Sequence, residues 1–138
     1  MPAMRFVDTN ILLYSISTDP SEERKASIAE ELLQSRDLAL SVQVLQEFYV
    51  QATRVGKPGA LTHREAVAFI TSWKRFPVQE MTVYLMDAAF AAKERWGISY
   101  WDSAIIEAAR AAGCSELLSE DLSDGQDYGG VRVIDPFR

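Results

Sequence analysis

Four acidic side chains carry the chemistry open to this chain: Asp8, Glu47, Asp102 and Asp121. Asp8 directly follows Met4-Arg5-Phe6-Val7, and Glu47 lies within Val-Leu-Gln-Glu-Phe-Tyr. Asp102 opens a helical pattern in Tyr-Trp-Asp-Ser, and Asp121 closes Leu-Leu-Ser-Glu-Asp. If the fold gathers them, two carboxylates about 4 Å apart repel by roughly 4 kcal/mol at an effective dielectric near 20. Hard divalent cations with oxygen ligands are the ordinary remedy. Metal-dependent hydrolysis of phosphodiesters is the chemistry such a site performs.

Gathering residues this far apart requires a framework of alternating strands and helices. Residues 4–7 read as a short buried strand, after which Thr9 or Asn10 can cap a helix that begins at Ile11. Asp19-Pro20-Ser21 breaks the chain before a helix over 21–35, and a second strand covers 38–41. A helix over 42–55 stops at Gly56-Lys57-Pro58-Gly59. Thr62 and Glu65 form a capping box that starts a helix to about residue 75. After a weak strand at 77–81, Thr82 caps a helix over 83–96, ended by Gly97, and another covers 101–112, closed by Gly113. Strands at 116–118 and 131–134 complete the pattern. The alternation predicts an α/β fold with a central parallel sheet of about five strands, covered on both faces. Ligands of such sheets bind beyond the carboxyl ends of the strands, where strand order reverses. Asp8 and Asp121 both follow strands onto that edge.

Each acid also has a purely structural explanation. At 100° per residue, Asp102 falls within about 60° of Ile105, Ile106 and Ala109, so it points inward; equally, it can be the N-cap of its helix. Glu47 shares a stripe with Gln43, Gln51 and Arg54, opposite the apolar arc of Leu45, Phe48, Tyr49 and Ala52. That stripe is either a solvated face or the wall of a crevice with Arg54 placed to meet a phosphate. Asp121 competes with Glu120, Asp124 and Asp127 in its own segment, and Asp124 is a candidate further ligand.

The 138 residues fit one domain, read as spanning 1–138, with 48% apolar and 25% charged residues. The net charge of −6 argues against a general nucleic-acid binder unless cations occupy the acidic site. A lone cysteine excludes an internal disulfide, no stretch resembles a secretory leader, and no apolar run is long enough to span a membrane. These features predict a reduced, cytoplasmic protein.

Together, Asp8-Thr9-Asn10, Glu47, Tyr100-Trp101-Asp102-Ser103-Ala104-Ile105-Ile106 and Ser119-Glu120-Asp121-Leu122 with Gly125 resemble the PIN-domain family, and within it the VapC-type toxin ribonucleases. Order, spacing and length agree over essentially the whole chain. The resemblance implies an α/β/α sandwich and a homodimer. It implies a Mg²⁺- or Mn²⁺-dependent endoribonuclease, the toxin of a VapBC-type toxin–antitoxin pair, with RNA as substrate and a VapB-like antitoxin whose basic arm enters the groove. On this likeness Asp8, Glu47, Asp102 and Asp121 are catalytic metal ligands, and Thr9 supports Asp8 through its hydroxyl. The alternative is a non-catalytic PIN-fold module that binds RNA or a protein partner.

Other readings fit less well. A receiver domain needs a lysine near a late strand, but the lysines are Lys25, Lys57, Lys74 and Lys93. A haloacid-dehalogenase-like phosphatase needs Asp-x-Asp, and Asn10 stands at its second aspartate. His63, the only histidine, starts a helix with no catalytic partner. Cys114 reads as a small buried hydrophobe, and no cysteine spacing suits zinc. Trp73, Trp96 and Trp101 read as core or interface, with Trp101, beside Asp102, open to base stacking. Lys57, Arg64, Lys74 and Arg75 read as a solvated basic face, with RNA contacts as the alternative. Tyr84, Ala88 and Ala91 or Ala92 form a stripe suited either to the core or to a second copy.

Overall fold

The computed structural model describes residues 4–138; residues 1–3, part of the expected domain span and of the leader reading, lie outside the described residues. Five strands form one sheet: β1 (Met4–Val7), β2 (Leu38–Ser41), β3 (Val78–Gln79), β4 (Cys114–Leu118) and β5 (Arg132–Ile134). Their order is β3-β2-β1-β4-β5, and every pairing is parallel. Six helices flank the sheet: α1 (Thr9–Ser15), α2 (Glu23–Leu32), α3 (Val42–Ala52), α4 (His63–Trp73), α5 (Val83–Trp96) and α6 (Tyr100–Ala111). With right-handed crossovers, α1 to α4 cover one face and α5 and α6 the other. Strand β2 is buried on both sides, which is why it reads Leu-Ala-Leu-Ser with no exposed alternate residue. Phe6, Val7, Leu40, Phe48, Ile106 and Leu117 are fully buried at the centre.

The chain leaves β1 for β2 and β3 on one side, then returns to place β4 on the other. The reversal lies between β1 and β4, and there the Asp8 N–H donates to the Leu118 carbonyl at 3.1 Å. Among the described residues no helix is long and apolar enough to cross a membrane.

Several element ends differ from the sequence expectation. The first helix begins two residues earlier than Ile11 because Asp8 itself caps it, its carboxylate accepting from the Thr9 N–H. Neither Thr9 nor Asn10 serves as that cap. The helix over 21–35 resolves into a 3₁₀ turn at Pro20–Glu22, capped by Asp19, followed by α2. Helix α3 stops at Ala52 rather than 55, where the Thr53 hydroxyl donates back to the Tyr49 carbonyl at 2.7 Å. The strand expected at 77–81 is only two residues long. The Thr62–Glu65 capping box forms in full, and Gly97 ends α5 at φ 67°, a left-handed conformation that favours glycine.

Trp73 is core, packed edge-on against Phe48 at 4.7 Å between ring centroids. Cys114 is buried, and burial pushes its thiol up to about 11, consistent with an inert hydrophobe. His63 is exposed and its Nδ1 pairs with the Tyr49 hydroxyl at 2.8 Å. Arg75 is exposed, as the solvated-face reading expects, and its guanidinium also donates to the Leu33 and Ser72 carbonyls and lies over the Phe76 ring.

Candidate active site

The crevice at the β1–β4 reversal holds a cavity of about 110 Å³ whose lining includes Asp8, Glu47, Asp102 and Asp121. Two of the acids arrive from strand ends and two from helices. Asp8 directly follows β1, and Asp121 lies three residues beyond β4. Glu47 projects from the middle of α3. Asp102 sits in the first turn of α6, but not as its cap: Ser99 is the N-cap, and its hydroxyl accepts from the Asp102 N–H at 3.1 Å. That leaves the Asp102 carboxylate free for the cavity, so the capping explanation does not hold. Nor is Glu47 on a solvated face, since it is half-buried and doubly bonded.

The competition within 119–127 is resolved by what each acid touches. Glu120 turns away from the cavity to Lys25 and the Tyr14 hydroxyl, which hold its carboxyl low against the opposing effect of burial. Asp124 accepts from the Asp135 N–H at 2.8 Å and lies 3.9 Å from Arg138. Asp127 accepts from the Gly130 N–H. Only Asp121 among these lines the cavity.

A web of donors supports the acids, and part of it was invisible in the sequence. Asp8 is buried, with Oδ1 accepting from the Thr9 N–H at 2.7 Å and Oδ2 from the Ser119 hydroxyl at 2.7 Å. Asn10 Nδ2 donates to Asp121 at 3.2 Å and to Ser119 at 3.3 Å, while its Oδ1 accepts from the Glu120 N–H at 3.3 Å. Asn10 thereby ties the loop after β4 to α1. The Thr9 hydroxyl does not reach Asp8, as the family resemblance implied; it donates to Glu47 Oε2 at 2.8 Å. Gln43 Nε2 donates to Glu47 Oε1 at 2.9 Å, so both Glu47 oxygens are held. The i, i+4 spacing of Gln43 and Glu47 was the signal for that contact. Ser119 had none: a serine at a strand end reveals nothing until the neighbouring strand is known.

Burial pushes the Asp8 carboxyl up to about 6, against the pull of the Ser119 and Thr9 donors, with the charges of Asp121 and Glu47 adding to the rise. The ionised form of Asp8 is therefore disfavoured where it lies, which a cation would relieve. The donor set is all oxygen, with no histidine or cysteine in the cavity lining, and suits Mg²⁺ or Mn²⁺ better than zinc. Among the described residues no group of three or more His, Cys, Asp or Glu is arranged to hold an ion by itself. Protein donors hold both oxygens of Asp8 and both of Glu47. That arrangement fits an ion bound through one or two carboxylates and keeping part of its water shell, as Mg²⁺ does.

Ser119→Ala tests the web. The variant leaves the Asp121 N–H and an Asp8 oxygen without their partner, and is expected to lose about 1–3 kcal/mol in urea unfolding. An unchanged midpoint would show that Ser119 supports neither.

Comparison with known proteins agrees with this fold. The family model for the PIN domain matches residues 5–123. No curated protein matches. Among solved structures, the chain is similar to VapC20 of Mycobacterium tuberculosis, described as a sarcin-ricin-loop-cleaving toxin, at 22% identity and TM-score 0.66 over 85% of this chain and 91% of that one. It is similar to a toxin–antitoxin complex from Klebsiella pneumoniae at 18% identity and TM-score 0.68, over 96% and 97% of the two chains. A DNA-bound VapBC from Salmonella typhimurium aligns at 18% identity and TM-score 0.66, over 98% and 99%. At these identities the structural likeness establishes the fold.

Proposed function

This chain belongs to the PIN-domain family, and from that premise we propose that it is a Mg²⁺- or Mn²⁺-dependent endoribonuclease, the toxin of a VapBC-type pair acting in the cytoplasm. The observation that carries the reading is the meeting of Asp8, Glu47, Asp102 and Asp121 on one cavity at the strand-order reversal. One or two of these carboxylates would hold the ion directly, and the others would face its water shell. Bound there, it would supply charge neutralisation at the scissile phosphate and a water nucleophile near neutral pH.

The protein's own residues do the rest. Thr9 and Gln43 fix Glu47 through both oxygens. Ser119 and the Thr9 N–H do the same for Asp8, and Asn10 holds Asp121 beside it. Exposed Arg54 lines the adjoining groove with Glu47 and Asp102, where it can pair with a phosphate oxygen. In-line attack on the phosphorus with departure of the 3′ oxygen leaves a 5′-phosphate and a 3′-hydroxyl.

The partners follow from charge and exposure. A groove of about 800 Å³ next to the cavity is lined by Asp19, Glu22, Glu120 and Asp121, with Lys57 as its one basic residue, and suits the basic arm of an antitoxin. On α5 the core contacts are Leu85, Ala89 and Ala92, whereas Tyr84 is 84% exposed and Ala91 is also exposed. The Tyr84–Ala88–Ala91 flank is therefore not core, and we place a second copy there. Tyr84→Glu is expected to convert a dimer to monomer in sedimentation equilibrium; a dimer of unchanged affinity would move the interface elsewhere.

Among the described residues no three acids are arranged to hold an ion by themselves, and the rival reading is a PIN fold that binds RNA or protein without cutting. Incubation of the pure protein with total RNA separates the two. Cleavage in Mg²⁺ or Mn²⁺, abolished by EDTA and yielding 5′-phosphate ends, is expected. Intact RNA with both metals would leave the binding module.

A further inference from the structure

Resting on the metal-dependent ribonuclease reading, we propose that Lys25 and Tyr14 are positioning residues for Asp121. They anchor Glu120, and through that anchor they hold the neighbouring carboxylate on the acid cavity.

Asp121 needs such help. It is exposed, and it lies in a bend beyond β4, where no helix or strand sets its direction. Among the described residues its carboxylate has one side-chain partner, Asn10 Nδ2 at 3.2 Å. The backbone around it is tied at three points. The Ser119 N–H donates to the Ile134 carbonyl at 3.1 Å, the Glu120 N–H to Asn10 Oδ1 at 3.3 Å, and the Asp121 N–H to the Ser119 hydroxyl at 3.1 Å. The bond at Glu120 is at the long end of the ordinary range, so it is a weak restraint on the peptide that carries Asp121.

The stronger restraint acts on the Glu120 side chain. The Tyr14 hydroxyl on α1 donates to its Oε1 at 2.5 Å, and the Lys25 ammonium on α2 pairs with its Oε2. Both carboxylate oxygens are thereby occupied by charge-assisted bonds, one from each helix. Lys25 is itself held in place. Its Nζ donates to the Tyr14 hydroxyl at 3.3 Å and lies 4.9 Å from the Tyr14 ring centroid and 5.6 Å from that of Phe137. Those two rings pack edge-on at 5.0 Å, and Phe137 is buried. A freely exposed ion pair restrains little. This one is partly buried and enclosed by rings, and its carboxylate is one residue from the cavity. Fixing Glu120 fixes the peptide between residues 120 and 121, and with it the direction in which Asp121 leaves the chain.

The test is the Kd for Mn²⁺ of the RNA-free protein, obtained by counting free ion with electron paramagnetic resonance. Lys25→Met is expected to raise the Kd about 10- to 100-fold, as loss of a group that orients a metal ligand does. Tyr14→Phe, which changes no charge, is expected to move it in the same direction, and Lys25→Arg to restore it. The sign separates positioning from charge alone: with Asp121 still in place, removing a positive charge beside the acids would tighten cation binding. In Mg²⁺, RNA cleavage by Lys25→Met is expected to lose kcat by about 10- to 100-fold with KM little changed. A Kd in either Lys25→Met or Tyr14→Phe that stays at or falls below that of the wild type overturns the proposal, as does a wild type that binds no Mn²⁺. A lower melting temperature in EDTA with the Kd unchanged would leave the three side chains a structural strut. A wild type that binds Mn²⁺ yet leaves RNA intact would overturn the nuclease reading alone, and the Kd values would still decide the positioning.

Discussion

Asp8→Asn is expected to reduce RNA cleavage in Mg²⁺ by at least about 10³-fold, roughly 4 kcal/mol of barrier, while leaving the protein folded and, without metal, more stable than the wild type. The two effects share one cause. Asp8 is the most deeply buried of the four acids and has a charge on Asp121 and another on Glu47 for neighbours. Asparagine keeps the size and one carbonyl oxygen for the Thr9 N–H, and removes the charge that an ion would need. Loss of cleavage with a destabilised fold would reduce the result to misfolding. Equal cleavage by both proteins would show contamination or a misassigned site.

The second large effect is on stability as pH changes. The Asp8 carboxyl stands at about 6 in the folded protein, against an ordinary value of 3.8. A group raised in this way contributes stability that is complete below the unfolded value and is lost as pH rises through the folded one. The rise corresponds to about 3 kcal/mol, lost between roughly pH 4 and pH 7. Asp19, Asp37, Glu65 and Glu120 are held low and work in the opposite sense, so the wild-type curve alone is a sum of both. The difference between wild type and Asp8→Asn isolates the one group. In urea unfolding with EDTA, the variant is expected to match the wild type near pH 4 and exceed it by up to about 3 kcal/mol near pH 7.5. Mg²⁺ at about 100 times its Kd should return roughly 2.7 kcal/mol to the wild type and little to the variant. A pH-independent difference between the two proteins would remove the buried charge from the account, and an unresponsive wild type would remove the cation.

Much of this protein could be read along the chain, because its determinants are local. The capping box at Thr62–Glu65, the glycine after Trp96 and the apolar run at 38–41 each declare an element from their immediate neighbours. The alternation of strands and helices then leaves a parallel sheet, whose carboxyl edge is where Asp8 and Asp121 had to lie. The four acids were therefore visible as candidates before any contact between them was known.

Their partners were not visible, since a hydrogen bond across 111 residues, such as Ser119 to Asp8, has no local signature. The web around the acids exists because β4 pairs with β1 and α3 packs on α1, and those contacts are set by long-range burial. Tertiary packing turned the Thr9 hydroxyl to Glu47 instead of Asp8, and gave the N-cap of α6 to Ser99. It also sent Glu120 to Lys25 and left Asp121 facing the cavity, a choice between adjacent acids that depends on where α1 and α2 stand. Residue type and spacing thus specify which groups can do chemistry. Which oxygens are held, and by what, depends on neighbours that only the folded chain supplies.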